Sequence, residues 1–336
     1  MISLTKSFRR LFNPSMHHPP RRKRPYFEGW YYKIANQSQE RIFAIIPGVF
    51  YGEKPENDHA FVQLLDGKSA RVTMQNFSIE QFKPSNQTFD IHIGQNQFKA
   101  DHLSLDIPNG ERKIQGILQF ENIKPWPVTL GSPGIMGWYA YVPFMQCNHG
   151  VVSLDHSIQG SLAINGEEID FSGGRGYIEK DWGGSFPDAW IWSQSNHFKT
   201  PGTSLTASIA IIPWVATAFP GFIIGLLYEG KLHRFTTYNG SKVETLIPSE
   251  KQIEWVVRNK THRLAMHIER SQGFNVYAPT RTDMSGRVPE TIDASIQLQL
   301  FEIRNRTEHL VLEDCGQNAG LEVAGDIERL ITLWKK

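Results

Sequence analysis

The sequence has only two cysteines, Cys147 and Cys315. One pair so far apart makes neither a disulfide framework nor a zinc motif. Both are therefore read as free thiols in a reducing compartment. No apolar run approaches the roughly 20 residues that a helix needs to span a bilayer. The longest, Ser208–Leu227, is interrupted by Pro213, Pro220 and Gly221. The opening "MISLTKSFRRLF" is basic, but no apolar stretch of signal-peptide length follows it, and the expected location is cytoplasmic. Neither sign of charge dominates: 35 Lys and Arg against 34 Asp and Glu leave no field to gather nucleic acid or an acidic substrate. A basic stripe and an RNP-like motif are also missing, which excludes a nucleic-acid partner.

Several catalytic signatures are missing as well. There is no phosphate-binding G-x-x-x-x-G-K-[ST], no G-x-G-x-x-G between a strand and a helix, and no G-x-S-x-G elbow. None of the 12 histidines forms H-E-x-x-H or sits at zinc spacing from a cysteine. The expectation is no metal and no cofactor. The single basic run, Arg21–Arg24, falls in residues 1–25, which read as a flexible, solvated tail. That run and a short amphipathic helix within residues 1–12 are the features that would support peripheral membrane contact.

What is present is the punctuation of a β-protein. Asp66-Gly67, Asn109-Gly110, Asn165-Gly166, Asn239-Gly240 and Glu229-Gly230 are turn signals. Between them, apolar residues recur with a period of two. Phe89, Ile91 and Ile93 alternate with polar residues, as do Leu264, Met266 and Ile268, and the run Ile292, Ala294, Ile296, Leu298 and Leu300. That period marks antiparallel strands with one wet face. The length suits two all-β domains, each an antiparallel barrel or sandwich, placed at residues 26–196 and 197–336.

One stretch differs from the rest: "GGRGYIEKDWGGSFPDAWIWSQSNHF", Gly173–Phe198. As a strand it puts Tyr177, Glu179 and Asp181 on one face and Ile178, Lys180 and Trp182 on the other. Two carboxylates two residues apart are about 7 Å from each other at the rise of a strand. In apolar surroundings one of them is favoured to hold a proton, as a general acid must. The simpler alternative is a salt bridge to Lys180 or Arg175. With Asn165-Gly166 as a hairpin turn and no bulge, His156 pairs with Arg175 and joins the face of Tyr177 and Glu179. Trp182, Trp190 and Trp192 surround the acids in sequence, and tryptophan faces stabilise cations. Acid among aromatic faces is the equipment for protonating an alkene and sheltering the cation. Glu28 and Trp30 repeat the pairing in "YFEGWYYKI".

These motifs resemble the tocopherol cyclase family: "YFEGWYYK" near the start, "GYIEKDWGGSFPDAWIWSQSN" in the middle and "GLEVAG" at Gly320–Gly325. The resemblance covers nearly the whole chain from about residue 26. It implies two lipocalin-like domains and acid-catalysed cyclisation of a prenylated hydroquinone, a hydrophobic small-molecule substrate. Plastid-type transit sequence is missing, so a non-plastid relative is expected. His156 departs from the pattern of the plant enzymes. The roles assigned are Glu179 as proton donor, Asp181 and His156 as the groups that set its protonation, and Tyr177 as its hydrogen-bond partner. Trp182, Trp190 and Trp192 would line the pocket, Gln194 and Asn196 would hold the quinol hydroxyls, and Glu28 and Trp30 would complete the wall. The alternatives are an alkene hydratase and a non-catalytic carrier of quinones or isoprenoids.

Overall fold

The computed structural model describes residues 4–20, 24–271, 273–280 and 282–335. Of the basic run, Arg21, Arg22 and Lys23 lie outside the described residues; Arg24 pairs with Asp58 at 2.6 Å. The chain divides into two compact units, Met1–Phe186 with Asn275–Val288, and Pro187–Phe274 with Pro289–Lys336. Each is built on one large antiparallel sheet, so the described residues are all-β, with α-helices at Leu4–Leu11 and Ile327–Lys335 and a few short 3-10 turns. None of the described helices is long and apolar enough to cross a membrane.

The sheet of the first unit runs, strand beside strand, from Arg71–Ser78 through His59–Asp66, Ile42–Tyr51 and Tyr26–Ala35 to Arg175–Gly183. It continues through Cys147–Ile164, Ile114–Glu121 and His102–Ile107 to Phe82–Pro84. Its ends curl onto a shared core. Trp30, on a central strand, stacks on Phe89 near the far end, with ring centroids 5.8 Å apart. Tyr32 donates to the Lys99 carbonyl at 2.8 Å. Phe89, Ile91 and Ile93 are buried as their alternation requires.

In the second unit the order runs from Lys231–Thr236 through Thr217–Tyr228, Ser204–Trp214, Ala189–Ser195 and Thr307–Gly325 to Gly286–Arg304, and on to Lys242–Pro248. Its core gathers Trp255, Phe235, Ile191 and the alternating Leu264, Met266, Ile296 and Leu298. The C-terminal helix closes on it through fully buried Leu330.

Both residues of Asn165-Gly166 and of Glu229-Gly230 take positive φ, the backbone of a two-residue hairpin turn. Asn239-Gly240 instead ends a short 3-10 turn. A further hairpin turn, Asn305-Arg306, has both residues at positive φ with no glycine to announce it.

The segment read as a solvated tail is packed instead. After the Leu4–Leu11 helix, Met16 and His17 are buried, and Arg10 is buried and donates to Asn86. Its partners are described below.

A methyl group added at Gly166 meets nothing within 4 Å. The cost of Gly166→Ala is therefore conformational, and about 1–2 kcal/mol of stability should be lost to the left-handed backbone. Denaturant unfolding checks this; an unchanged midpoint would show that the turn relaxes to another type.

Candidate functional site

The Arg175–Gly183 strand lies between Tyr26–Ala35 and Cys147–Ile164. Two motifs of the sequence, "YFEGWYYK" and "GYIEKDWG", are thus neighbouring strands. Pairing sets Glu179 opposite Tyr31 and Val151, Lys180 opposite Trp30 and Gly150, and Asp181 opposite Gly29 and His149. Side chains alternate along a strand, so two ionisable clusters form on opposite faces.

The first cluster holds the acids. Tyr177, fully buried, donates its hydroxyl to Glu179 Oε2 at 2.5 Å. His149 bridges the two carboxylates: Nδ1 lies 2.9 Å from Asp181 Oδ1 and Nε2 lies 3.7 Å from Glu179 Oε2. Glu179 is 5% exposed, whereas the Asp181 side chain is 33% exposed. The row Tyr177–Glu179–His149–Asp181 thus runs from a fully buried phenol to a part-exposed carboxylate. Buried Lys33, opposite Tyr177, shares the face. Two hydrogen bonds, Tyr177–Glu179 and His149–Asp181, are joined by the 3.7 Å approach of His149 to Glu179, an arrangement that could hold and pass a proton. His149, Glu179 and Asp181 also place one ligand-type atom each within 4.8 Å of one another. This spacing would admit a metal ion, although His149 already hydrogen-bonds Asp181 and Glu179 already accepts from Tyr177.

The second cluster is an ion pair in the interior. Lys180 Nζ lies 2.5 Å from Glu28 Oε1, both side chains fully buried. The N-terminal segment completes it. Lys180 donates to the Pro14 carbonyl at 3.0 Å and the Met16 carbonyl at 2.5 Å, and lies 2.7 Å from His18 Nδ1. Glu28 Oε2 meets His17 Nδ1 at 2.6 Å, and Glu28 accepts the His18 backbone N–H at 2.9 Å. The ammonium also lies over Trp182, 4.3 Å from its centroid, and over Trp30 at 5.0 Å. His18 stacks on Trp182, ring centroids 4.5 Å apart.

Electrostatics follow from this packing. Burial alone would raise the Glu28 carboxyl, but the Lys180 ammonium and His17 override it and hold it well below the usual carboxylate range. Burial lowers Lys180 to about 8, against the pull of Glu28. His18 falls to about 4 through burial and then the Lys180 charge.

Several expectations need correction. The bulge-free hairpin does not hold: the Cys147–Ile164 strand shifts register between Val151 and Ser153 and again between Ser153 and His156. Nearer the turn, the register has already slipped by one residue between the Ser161–Asp170 and Ser157–Arg175 pairs, so His156 pairs with Gly176 rather than Arg175 and does not stand beside Glu179. It is buried against Phe120, its Nδ1 3.0 Å from Ser153 Oγ, and burial with the Arg175 charge lowers it to about 3. The histidine at the acids is His149. Glu28, Trp30 and Trp182 belong to the Lys180 cluster, on the opposite face from Glu179. Neither basic residue offered as a salt-bridge partner goes to the acids Glu179 and Asp181: Lys180 takes Glu28, and Arg175 forks onto Asp155.

Trp190, Trp192 and Gln194 stand on the Ala189–Ser195 strand of the second unit, with Asn196 just after it. Ile191 enters that unit's apolar core, so the three take the other face. Trp192, Gln194 and Asn196 are buried, and Trp190 Nε1 donates to Glu322 at 2.5 Å. Here too two motifs are partners: Gln194 pairs with Gly320 and Ala189 with Gly325, the ends of "GLEVAG".

Comparison with known proteins places this architecture. The fold class is a pair of lipocalin-like all-β units. The structure of CghA with Sch210972 superposes with a TM-score of 0.55 at 11% identity, over 90% of this chain and 89% of that one. Kievitone hydratase from Nectria haematococca gives 0.50 at 11% identity, over 93% and 90%. The tocopherol cyclase-like family profile matches residues 109–325, and the chain belongs to that family. "Probable tocopherol cyclase, chloroplastic" of Oryza sativa subsp. japonica is 29% identical over 210 residues, 59% of this chain and 44% of that protein. "Tocopherol cyclase, chloroplastic" of Zea mays is 27% identical over 211 residues, 56% and 41%. The matched region spans less than half the length of these curated relatives.

Two measurements test the electrostatics. Removing one member of the buried pair, by Glu28→Gln or Lys180→Met, should cost about 3–5 kcal/mol by stranding the other charge. The double variant should cost less than the sum, and additive losses in urea unfolding would contradict the pairing. His156 behaves differently. Its lowered folded value means that the unfolded chain binds a proton below pH 6.5 that the fold refuses. Its contribution is thus complete above pH 6.5 and falls toward pH 3. His156→Gln should flatten the acid-side decline of stability by about 1.4 kcal/mol per pH unit, and an unaltered slope would mean that the native ring takes up the proton.

Proposed function

We propose that this protein is an acid-catalysing cyclase of a hydrophobic prenylated hydroquinone, with Glu179 as proton donor. The supporting observation is the Tyr177–Glu179–His149–Asp181 row: a buried carboxyl, fixed by a phenol hydroxyl and backed by a histidine that reaches toward solvent through Asp181. Membership of the tocopherol cyclase-like family agrees with this reaction class.

In the proposed step the Glu179 O–H bond breaks and a C–H bond forms at the less substituted alkene carbon. The tertiary cation left on the neighbouring carbon is captured by the phenol oxygen, forming the C–O bond of the new ring. The phenolic proton returns to the Glu179 carboxylate, so the product is an isomer of the substrate and the enzyme is regenerated. Tyr177 holds the carboxyl orientation through Oε2. The His149–Asp181 pair positions Glu179 and exchanges protons with solvent. Preorganised groups aimed at the developing charge are the main source of rate in such sites. Loss of a positioned general acid removes about 10²–10⁴ of rate.

The test is incubation of the purified chain with a prenylated hydroquinone, followed by mass analysis and chromatography, with and without a chelator. The expected product has unchanged mass, one phenol fewer, and forms equally in chelator. Glu179→Gln should lower turnover by at least about a hundredfold, while Glu179→Asp retains part of it. Full turnover of a folded Glu179→Gln variant would reject the assignment. A product heavier by one water would instead identify a hydratase.

A further inference from the structure

From Pro125 to Leu154 the sequence contains no Asp, Glu, Lys or Arg. Within that stretch the chain leaves the first unit's sheet after Ile114–Glu121 and returns to it at Cys147. On the way it forms a two-residue ladder, Val128–Thr129 against Ser132–Pro133, and one 3-10 turn, Gly137–Tyr141. Leu130 is 76% exposed, Phe144 52%, Tyr141 48%, Trp138 44% and Val128 40%. A water-facing loop does not ordinarily present five large apolar side chains and no charge, and such patches mark interaction surfaces.

We infer that residues 126–146 form a finger that docks the protein on the surface of an anionic lipid bilayer. Three observations select lipid over a protein partner. Trp138 and Tyr141 combine an apolar ring with a polar tip, the composition that settles at a bilayer–water boundary. Tyr141 hydrogen-bonds the Leu130 carbonyl, which ties the tip of the finger to its far side. Next to it, Pro14 packs on Gly134, where an added Cβ would lie 3.2 Å from its ring. Pro14 follows the Leu4–Leu11 helix, which presents Phe8, 61% exposed, and the exposed cation Arg9. Apolar tips beside a basic helix suit anionic headgroups. The short ladder and single turn offer neither a long strand edge nor a broad face for a second copy.

The experiment is flotation of the full chain with vesicles of phosphatidylcholine alone and with added phosphatidylglycerol, beside sedimentation without lipid. Wild type should float with the mixed vesicles and less with the neutral ones. Leu130→Asp combined with Phe144→Asp, both exposed positions, should lower partitioning by at least about tenfold with unchanged circular dichroism. Vesicle binding is read without turnover, so the outcome is independent of the proton chemistry above. Failure of wild type to float on either lipid would overturn the inference, as would equal flotation of the variant. A wild-type dimer that the variant converts to monomer, with no vesicle binding by either, would assign the finger to a second copy instead.

Discussion

A strand cannot turn consecutive side chains to the same side, and the chemistry of the first unit depends on that constraint. Glu179, Lys180 and Asp181 are adjacent in sequence, and a string of charges E-K-D would neutralise itself in a flexible loop. Held in the Arg175–Gly183 strand, Lys180 points to the interior and the two acids point away from it. The ammonium then pairs with Glu28 from the neighbouring strand, and the acids are left to a phenol and an imidazole. Backbone geometry separates the buried Lys180–Glu28 ion pair from the carboxylates that meet Tyr177 and His149.

The ion pair has its own logic. Two charges buried together gain stability only if their remaining hydrogen-bonding capacity is filled. Two tryptophan faces, two main-chain carbonyls and two histidines fill it, and most of those come from residues 14–18. The N-terminal segment is therefore fastened at the buried Lys180–Glu28 pair. That anchoring also seats Pro14, which follows the Leu4–Leu11 helix, against Gly134 of the loop between Glu121 and Cys147.

Much of this was legible in the sequence. Alternation at Phe89–Ile93 and Ile292–Leu300 gave the buried faces, because one-sided burial leaves a period of two. Asn165-Gly166 and Glu229-Gly230 marked hairpins, because positive φ restricts the residues that can sit there. The acid face Tyr177–Glu179 followed from parity alone. His149 was not legible. Its place beside Asp181 depends on two bulges in the Cys147–Ile164 strand, and each slips the register by a residue without a compositional mark. A separate slip, between the Ser161–Asp170 and Ser157–Arg175 pairs, turned His156 into the core. Residues 14–18 read as tail because proline, serine and histidine resemble a linker, whereas their partners, Glu28 and Lys180, come from distant parts of the chain. Asn305-Arg306 turns without glycine, driven by the long strands on either side.

The most direct test of proton donation is the reaction run in heavy water on a prenylated hydroquinone. Protonation of the alkene by an exchangeable carboxyl requires one non-exchangeable deuterium in the product, at the former alkene carbon that does not bond to oxygen. Cyclised product that carries no deuterium would show that the ring closes without a proton from Glu179, and the central assignment would fall.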